Sequence, residues 1–496
     1  MKLSELLAGY DHEVLIGDPG TRITTGACFD VHRVSPGSLF ISVPGHREGG
    51  PEAVSSALAR GAVAVLVDRA APDILTSVRV SAGDVCVVRV ADARTAAAVV
   101  ASRYYGEPGR EMDMVAVNGT NGKTSVSYMV ESVLRLAEGV RAGVIGTAGS
   151  RIGDELIPMP RSVLTTPESP DFQYLLGHMR DQEVSTVVLE ATSMGLLQHR
   201  VDHAFIDVGV FTNLTQDHLH DHGTMEHYRD AKLRLFQGLC RHAVVNADDP
   251  VGAGISAMMP GAVSTYALDT DADYRATDLD MDAFGTRFTL HHAGRKYPAA
   301  LPVPGRFSVS NALATVAACH TLGHGLTGLV AALDRMPPVP GRLERFVTPG
   351  GAAVIVDYAH SPDSLEKVLS AIRDFTEGRV ITVFGCGGDR DVTKRVRMGE
   401  IAGSHSDLSV LTSDNPRNED PEAIMDQITP GLVAVGARFE RLADRRRAIA
   451  FALSDAGPGD IVLVAGKGSE PYQIVGERLI PFSDMGTVRE LAAVQR

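Results

Sequence analysis

The stretch Met114-Val115-Ala116-Val117-Asn118-Gly119-Thr120-Asn121-Gly122-Lys123-Thr124-Ser125 decides how the rest of the chain is read. Its opening run of apolar residues predicts a buried strand, and Ser125–Glu138 predicts a helix. Between them lies a turn bracketed by Gly119 and Gly122, with Thr120 and Asn121 inside it. A strand, a glycine turn and a helix N-terminus make a phosphate loop. The glycines let backbone N–H groups converge on phosphate oxygens, and the helix end adds partial positive charge. Lys123 can reach the β- and γ-phosphates, and the Thr124 hydroxyl can ligate Mg²⁺. The spacing is GxxGKT rather than GxxxxGKT, because Val117 stands where the longer motif has glycine. The plainer alternative is a glycine-rich turn with a surface lysine, but the flanking strand and helix favour a bound nucleotide triphosphate.

Similar strands recur outward from this loop. Ala62–Val67, Val187–Leu189, Val208–Phe211, Val354–Val356, Val380–Phe384 and Ile461–Val464 are continuous apolar runs. Such runs fit parallel sheets covered on both faces, so the fold class is α/β. Residues 273–300 alternate in polarity, as in Arg287-Phe288-Thr289-Leu290-His291, and predict a β-hairpin. A chain of 496 residues suggests about three domains. The link Tyr105–Arg110 and the Pro-dense link Met336–Arg342 divide it into 1–110, 111–338 and 339–496.

Charge and composition exclude several function classes. Lys and Arg number 47 against 61 Asp and Glu, a net charge of −14. That balance argues against nonspecific nucleic-acid or anionic-membrane binding, so a bound polyanion must be held locally. Aromatics are 5% and Trp is absent, which disfavours a base-stacking platform. No run is apolar enough to span a membrane, and the first residues do not read as a signal peptide. The scattered Cys28, Cys86, Cys240, Cys319 and Cys386 predict reduced, buried thiols in a cytoplasmic protein.

Two strand ends carry metal-type side chains. Val187–Leu189 runs into Glu190-Ala191-Thr192-Ser193, where the carboxylate either binds Mg²⁺ or is a solvated strand end. Val208–Phe211 runs towards Asp217-His218-Leu219-His220-Asp221-His222, three His and two Asp in six residues. Alone, that cluster fits a metal site or a solvated polar turn equally. Its position at a strand C-terminus favours a site. By its residues alone, Lys232 reads as a solvated helix lysine.

These motifs together carry a resemblance. Gly119–Thr124, Glu190–Ser193, Asn213-Leu214-Thr215-Gln216-Asp217-His218-Leu219-His220-Asp221-His222-Gly223 and Tyr228-Arg229-Asp230-Ala231-Lys232 resemble the Mur ligase family. Gly305–Ala314, Asp357-Tyr358-Ala359-His360-Ser361-Pro362-Asp363-Ser364, Asp414-Asn415-Pro416-Arg417 and Gly466-Lys467-Gly468-Ser469-Glu470 extend it almost to the chain's end. Asp414–Arg417 and Gly466–Glu470, together with Gly385–Asp391, resemble the branch that adds diaminopimelate to UDP-MurNAc-L-Ala-D-Glu during peptidoglycan synthesis. The resemblance implies three α/β domains: a small N-terminal substrate domain, a central P-loop ATPase domain and a C-terminal Rossmann-like domain.

Site roles follow from the resemblance, residue by residue. Lys123, Glu190, His218 and Lys232 are the implied catalytic set. Thr124, Glu190, His218 and Lys232, the last as a carbamate, are the implied Mg²⁺ ligands. Gly119, Thr120, Asn121, Gly122, Lys123, Thr124, Ser125, Asn311, Asp357 and His360 are implied for ATP, with Asn311 facing adenine. Val31, His46, Arg47, Glu48, Thr165, Thr166, Thr192, Gln198 and Arg200 are implied for the UDP-substrate. Arg390, Asp414, Asn415, Pro416, Arg417, Gly466 and Glu470 are implied for the amino acid. Physics agrees with the arginines, because diaminopimelate carries a second carboxylate suited to a bidentate guanidinium. A small-molecule enzyme that acts as a monomer is the expectation.

The sequence departs from the family in its substrate half. Val31 and His32 stand where Ser and Arg are usual, Gly49 where Asp is, Met194 where His is, and Ser469 where His is. Val396 follows Lys394-Arg395 in place of Pro. A second reading is therefore a paralogue that joins a different carboxylate to an amino acid in a specialised pathway.

Overall fold

The structure, a computed structural model, describes residues 1–44, 50–71, 85–158, 164–282 and 285–494. The apolar runs become buried strands: Ala64–Asp68, Asp113–Asn118, Thr186–Glu190, Ile206–Phe211, Ala353–Asp357, Val380–Phe384 and Ile461–Ala465. The chain forms two compact units. One comprises Met1–Asn118, Val140–Val210 and Asp230–Ala243; the other comprises Gly119–Gly139, Phe211–Arg229 and Val244–Arg496.

In the first unit, a five-stranded sheet runs in the order His12–Ile16, Cys86–Val90, Ala64–Asp68, Leu39–Ser42, Ala27–Cys28. Only the His12–Ile16 pairing is antiparallel. Leu66, Val88, Ala96, Ala97 and Val100 pack on one face, and Phe40, Val65, Val87 and Val54 on the other. Burial on both faces is why these strands read as unbroken apolar runs. The same unit holds Thr186–Glu190 in parallel between Asp113–Asn118 and Ala142–Gly146. Its register sets Glu190 opposite Val117, level with the strand end that feeds the glycine turn.

In the second unit, a six-stranded sheet runs Glu344–Val347, Ala353–Asp357, Ile461–Ala465, Val380–Phe384, Leu408–Leu411, Phe439–Arg441. All neighbours are parallel except the first pair. The C-terminal ends of its parallel strands lead into the loops at Tyr358, Gly385, Thr412 and Gly466, where open α/β sheets place ligands. The expected hairpin is instead a three-stranded antiparallel meander: Tyr274–Asp282, Gly285–His292 and Arg295–Leu301. Pro298 hides the third strand from a propensity reading, and its strand is the sheet edge, where proline is tolerated. All five cysteines are free and buried, as expected. Among the described residues, no helix is long and apolar enough to cross a membrane.

Candidate active site

The glycine turn does what its sequence required. Gly119 has φ +148°, and a Cβ there would stand 1.9 Å from the Thr212 hydroxyl. Gly122 has φ +88°, and its Cβ would meet Asn311 Oδ1 at 2.6 Å. Thr120 N donates to Asn213 O at 2.8 Å, Asn121 N donates to Asn213 Oδ1 at 3.0 Å, and Thr212 Oγ1 donates to Asn121 O at 2.6 Å. Lys123, first in the helix Lys123–Glu138, folds back to donate to Gly119 O at 2.9 Å and Thr120 O at 2.8 Å. Ser125 lies in the same first turn, partly exposed. Thr124 Oγ1 accepts from Arg342 Nη2 at 3.0 Å, and that guanidinium lies 4.3 Å over the Tyr358 ring. Asn311 is buried beside the turn, on the helix Arg306–Thr321.

Two other implied ATP residues are held by backbone. The Asp357 carboxylate accepts from Leu343 N and Ala359 N, both at 2.8 Å. Burial pushes its pKa up, against the Arg342 charge and these two N–H groups. His360 Nδ1 donates to Tyr358 O at 2.8 Å. Burial and then Lys394 push the imidazole down to about 4, against the pull of Asp217. Asp217 is depressed to about 2: burial raises it, but the charges of His360, His218 and Lys394 outweigh burial. His218 has φ +54°, with Asp221 Oδ2 at 3.4 Å from Nδ1 and Asp217 Oδ2 at 3.7 Å from Nε2.

In the first unit, Glu190 is 2% exposed. Its Oε1 accepts from Thr147 N at 3.0 Å and its Oε2 from Thr147 Oγ1 at 2.9 Å. Thr147 Oγ1 also lies 3.2 Å from Thr165 Oγ1. Thr166 Oγ1 donates to Glu190 O at 2.7 Å and lies 2.9 Å from Thr192 Oγ1. Thr192 caps the short helix Ser193–Leu197 by accepting from Gly195 N at 3.1 Å. Arg200 Nη1 donates to Thr166 O at 3.1 Å, and Nη2 to Gln198 Oε1 at 2.5 Å. Thus Thr165, Thr166, Glu190, Thr192, Gln198 and Arg200 form one cluster. Val31 is buried at the start of the 3₁₀ turn Val31–Arg33, and Arg33 is engaged with Asp171. His46, Arg47, Glu48 and the Gly49 departure lie outside the described residues.

Lys232 corrects the plain reading of its residue type. It is 2% exposed, not solvated, on the helix Met225–Leu233. Asn118 Nδ2 donates to its carbonyl at 2.9 Å, and Nζ lies 3.4 Å from Asn118 Oδ1. Helix periodicity did not signal this burial, because Asn118 belongs to a strand more than a hundred residues away.

The amino-acid residues meet at the strand ends of the six-stranded sheet. Arg417 Nη1 donates to Gly388 O at 2.8 Å, and a Cβ on Gly387 would stand 2.9 Å from that nitrogen. Burial first, and then the Arg390 charge, lower the Arg417 pKa. Arg390 is exposed and donates to Asp389 O at 3.2 Å. Asn415 Nδ2 donates to Glu470 Oε2 at 2.8 Å, and Lys467 Nζ bridges Asn415 Oδ1 at 3.0 Å and Glu470 Oε2 at 2.8 Å. Asp414 is buried, and a Cβ on Gly466 would stand 2.3 Å from its Oδ2. Pro416 is buried between Asn415 and Arg417. Lys467 was missed by reading only for carboxylate-binding arginines, although it lies inside the quoted glycine motif.

The donor set suits a hard cation. Among the described residues, no group of three or more His, Cys, Asp or Glu could hold a metal. Mg²⁺ does not ask for such a cage, because it takes one or two carboxylates together with substrate phosphates and water. Each unit by itself offers an oxygen donor of that kind, Glu190 in the first and the Thr124 hydroxyl in the second.

Residues 117–319 match the Mur ligase middle domain, and residues 341–468 match the Mur ligase, glutamate ligase domain. A UDP-N-acetylmuramoyl-L-alanyl-D-glutamate--2,6-diaminopimelate ligase of Caldanaerobacter subterraneus subsp. tengcongensis is 39% identical over 493 residues, 99% of each chain. The chain belongs to the Mur ligase family. A ligase of the same name from Geobacillus thermodenitrificans is 41% identical over 94% of each chain. A solved UDP-N-acetylmuramoyl-L-alanyl-D-glutamate--2,6-diaminopimelate ligase shares 32% identity and superposes with a TM-score of 0.70 over 100% of this chain and 99% of its own. The α/β class and the Mur ligase architecture expected from the motifs are therefore borne out.

Proposed function

We propose that the chain is an ATP-dependent ligase of the cytoplasm, acting as a monomer. It adds diaminopimelate to the D-Glu of UDP-MurNAc-L-Ala-D-Glu in peptidoglycan precursor synthesis. The paired arginines carry this reading. Both border Gly387, whose Cβ would stand 2.9 Å from Arg417 Nη1 and 3.8 Å from Arg390 Cγ, and burial first and then the Arg390 charge lower the Arg417 pKa, so an anion is favoured there. The distal carboxylate of diaminopimelate is such an anion, and lysine has none. Glu470, joined to Asn415 at 2.8 Å, takes the distal ammonium. The proposed domains are 1–110 for the UDP-substrate, 111–338 for ATP and 339–496 for the amino acid.

Forming an amide from a carboxylate needs a leaving group better than hydroxide. The D-Glu carboxylate attacks the γ-phosphorus, ADP departs, and an acyl phosphate forms. The diaminopimelate amine then attacks the acyl carbon, phosphate leaves, and the amine gives up a proton. Positioning and charge neutralisation account for such catalysis. Lys123 leaves its loop carbonyls for the β/γ-phosphates, and the Gly119–Gly122 amides cradle them. Arg200, Gln198, Thr166 and Thr192 orient the dipeptide. Mg²⁺ supplies charge that lets two anions approach, and Thr124, Glu190, His218 and Lys232, as its carbamate, would hold it. Lys232 is buried, and carbamylation would turn its ammonium into an oxygen ligand.

The test is ADP release measured with each substrate omitted in turn. Turnover that requires both UDP-MurNAc-L-Ala-D-Glu and diaminopimelate supports the reading. The paralogue reading rests on Val31, a buried apolar side chain where the family offers a hydroxyl. An ATPase that responds to another carboxylate and ignores UDP-MurNAc-L-Ala-D-Glu would establish it instead.

A further inference from the structure

Glu168 immediately follows Thr165-Thr166-Pro167 and occupies the N-cap of the helix Ser169–Asp181. The side chains that ordinarily cap there are the shorter Ser, Thr, Asn and Asp. Glu168 makes no cap hydrogen bond. Its carboxylate instead meets two arginines. Arg200 Nη2 lies 2.9 Å from Oε1, and Arg94 Nη1 donates to Oε2 at 3.1 Å. All three side chains are largely buried, at 10%, 18% and 14% exposure for Arg200, Arg94 and Glu168.

Arg200 is left with a donor to spend. Nη1 and Nη2 are engaged by Thr166 O, Gln198 and Glu168, whereas Nε is buried with no hydrogen-bond partner among the described residues. A buried unsatisfied N–H is costly until an acceptor arrives. The other arginine leads back to the uridine-side segment. Arg94 is the second residue of the helix Ala93–Tyr104 and stands 5.9 Å over the ring of Phe29, two residues before Val31. A second link runs alongside it, from Arg33 to Asp171 in the first turn of the same Glu168-capped helix.

We propose that Glu168 is a positioning residue for Arg200. It holds the guanidinium between itself, Gln198 and Thr166 so that the remaining N–H donors meet a carboxylate of the dipeptide. Arg94, packed over Phe29, holds the other oxygen of the Glu168 carboxylate and so fixes its direction. The proposal rests on the UDP-MurNAc-dipeptide reading above. Two arginines around one carboxylate leave one unit of positive charge, which is what a further anion requires. Without the Glu168 charge, the two guanidiniums repel and Arg200 loses its fixed direction.

Equilibrium dialysis on the full chain tests this with two probes, UDP-MurNAc-L-Ala-D-Glu and UDP. Glu168→Gln keeps the side-chain shape and removes the charge. It should weaken the dipeptide probe about thirtyfold or more, the scale of a desolvated pair losing one charge, and leave UDP affinity unchanged. Arg94→Met should weaken the dipeptide probe by a smaller factor, and should add nothing in the Glu168→Gln background. Glu168→Asp should recover part of the loss. Unchanged dipeptide affinity in Glu168→Gln would overturn the proposal. So would an equal loss for both probes, which marks a general structural role. Should Glu168→Gln fail to fold, Arg94→Met against wild type still decides: no loss specific to the dipeptide overturns it. A wild-type chain that binds the dipeptide probe no better than UDP sinks the substrate reading itself, before any variant is compared.

Discussion

Lys467 has no exposed side-chain surface, and its ammonium lies 2.8 Å from the Glu470 carboxylate. The carboxylate proposed to receive the substrate ammonium therefore already has a fixed cation, and Asn415 is held by both. Lys467→Met should remove the contact that fixes the direction of the Glu470 carboxylate and should release Asn415. The KM for diaminopimelate should rise at least about tenfold, with the ATP KM unchanged, since partners of a buried charge pair are strongly coupled. Steady-state kinetics with each substrate varied checks this; equal shifts in both KM values would contradict it.

Arg417 presents a planar fork that lysine cannot reproduce. Arg417→Lys keeps the charge and loses the bidentate geometry, so diaminopimelate binding should weaken by about 2 kcal/mol or more. Isothermal titration with diaminopimelate on the protein loaded with nucleotide and dipeptide measures the change. An unaltered affinity would reject the clamp.

His360 makes stability depend on pH in a definite direction. Its folded pKa of about 4 lies below the unfolded value near 6.5. The fold therefore favours the neutral ring, and the contribution is complete above pH ~6.5 and lost as pH falls towards ~4. The loss is at most about 3 kcal/mol at 1.36 kcal/mol per unit. Asp217 acts lower still: its pKa of about 2 contributes above pH ~4 and is lost as pH falls towards ~2. Lys394, His218 and Asp217 are the charges that shift His360. Urea denaturation of wild type and His360→Gln from pH 7 to 4 should show a steeper fall for wild type. Parallel curves would contradict the assignment.

Arg445 and Asp484 pair with no exposed side-chain surface on either partner, at 2.7 Å for both bonds. The guanidinium also donates to Ala465 O at 2.9 Å, one residue before Gly466. Arg445→Met should lower stability by about 3–5 kcal/mol, because it strands a buried carboxylate. Replacing both members with apolar residues should cost less than either single change. Chemical denaturation of the three variants decides; a double variant as unstable as the sum of the singles would oppose the pairing.

Local pattern alone was enough for much of this. The glycine turn was legible because a phosphate loop needs residues adjacent in the chain, and Gly119 and Gly122 are glycines for backbone reasons visible in their spacing. The buried strands were legible because burial on both faces writes itself as an unbroken apolar run. The third strand of the 274–301 meander was not, since Pro298 opposes strand propensity and only its edge position permits it.

Residue order and spacing alone carry the α/β class, the phosphate loop, and which residues resemble a ligase site. Tertiary structure decided what surrounds each charge. That Lys232 is buried against Asn118, that Lys467 neutralises Glu470, and that Glu168 stands between Arg94 and Arg200 all depend on residues brought together across long separations. The physical reason is that a side chain's chemistry follows from its solvent exposure and its nearest charges. Both are properties of the packed chain, and residue spacing carries neither.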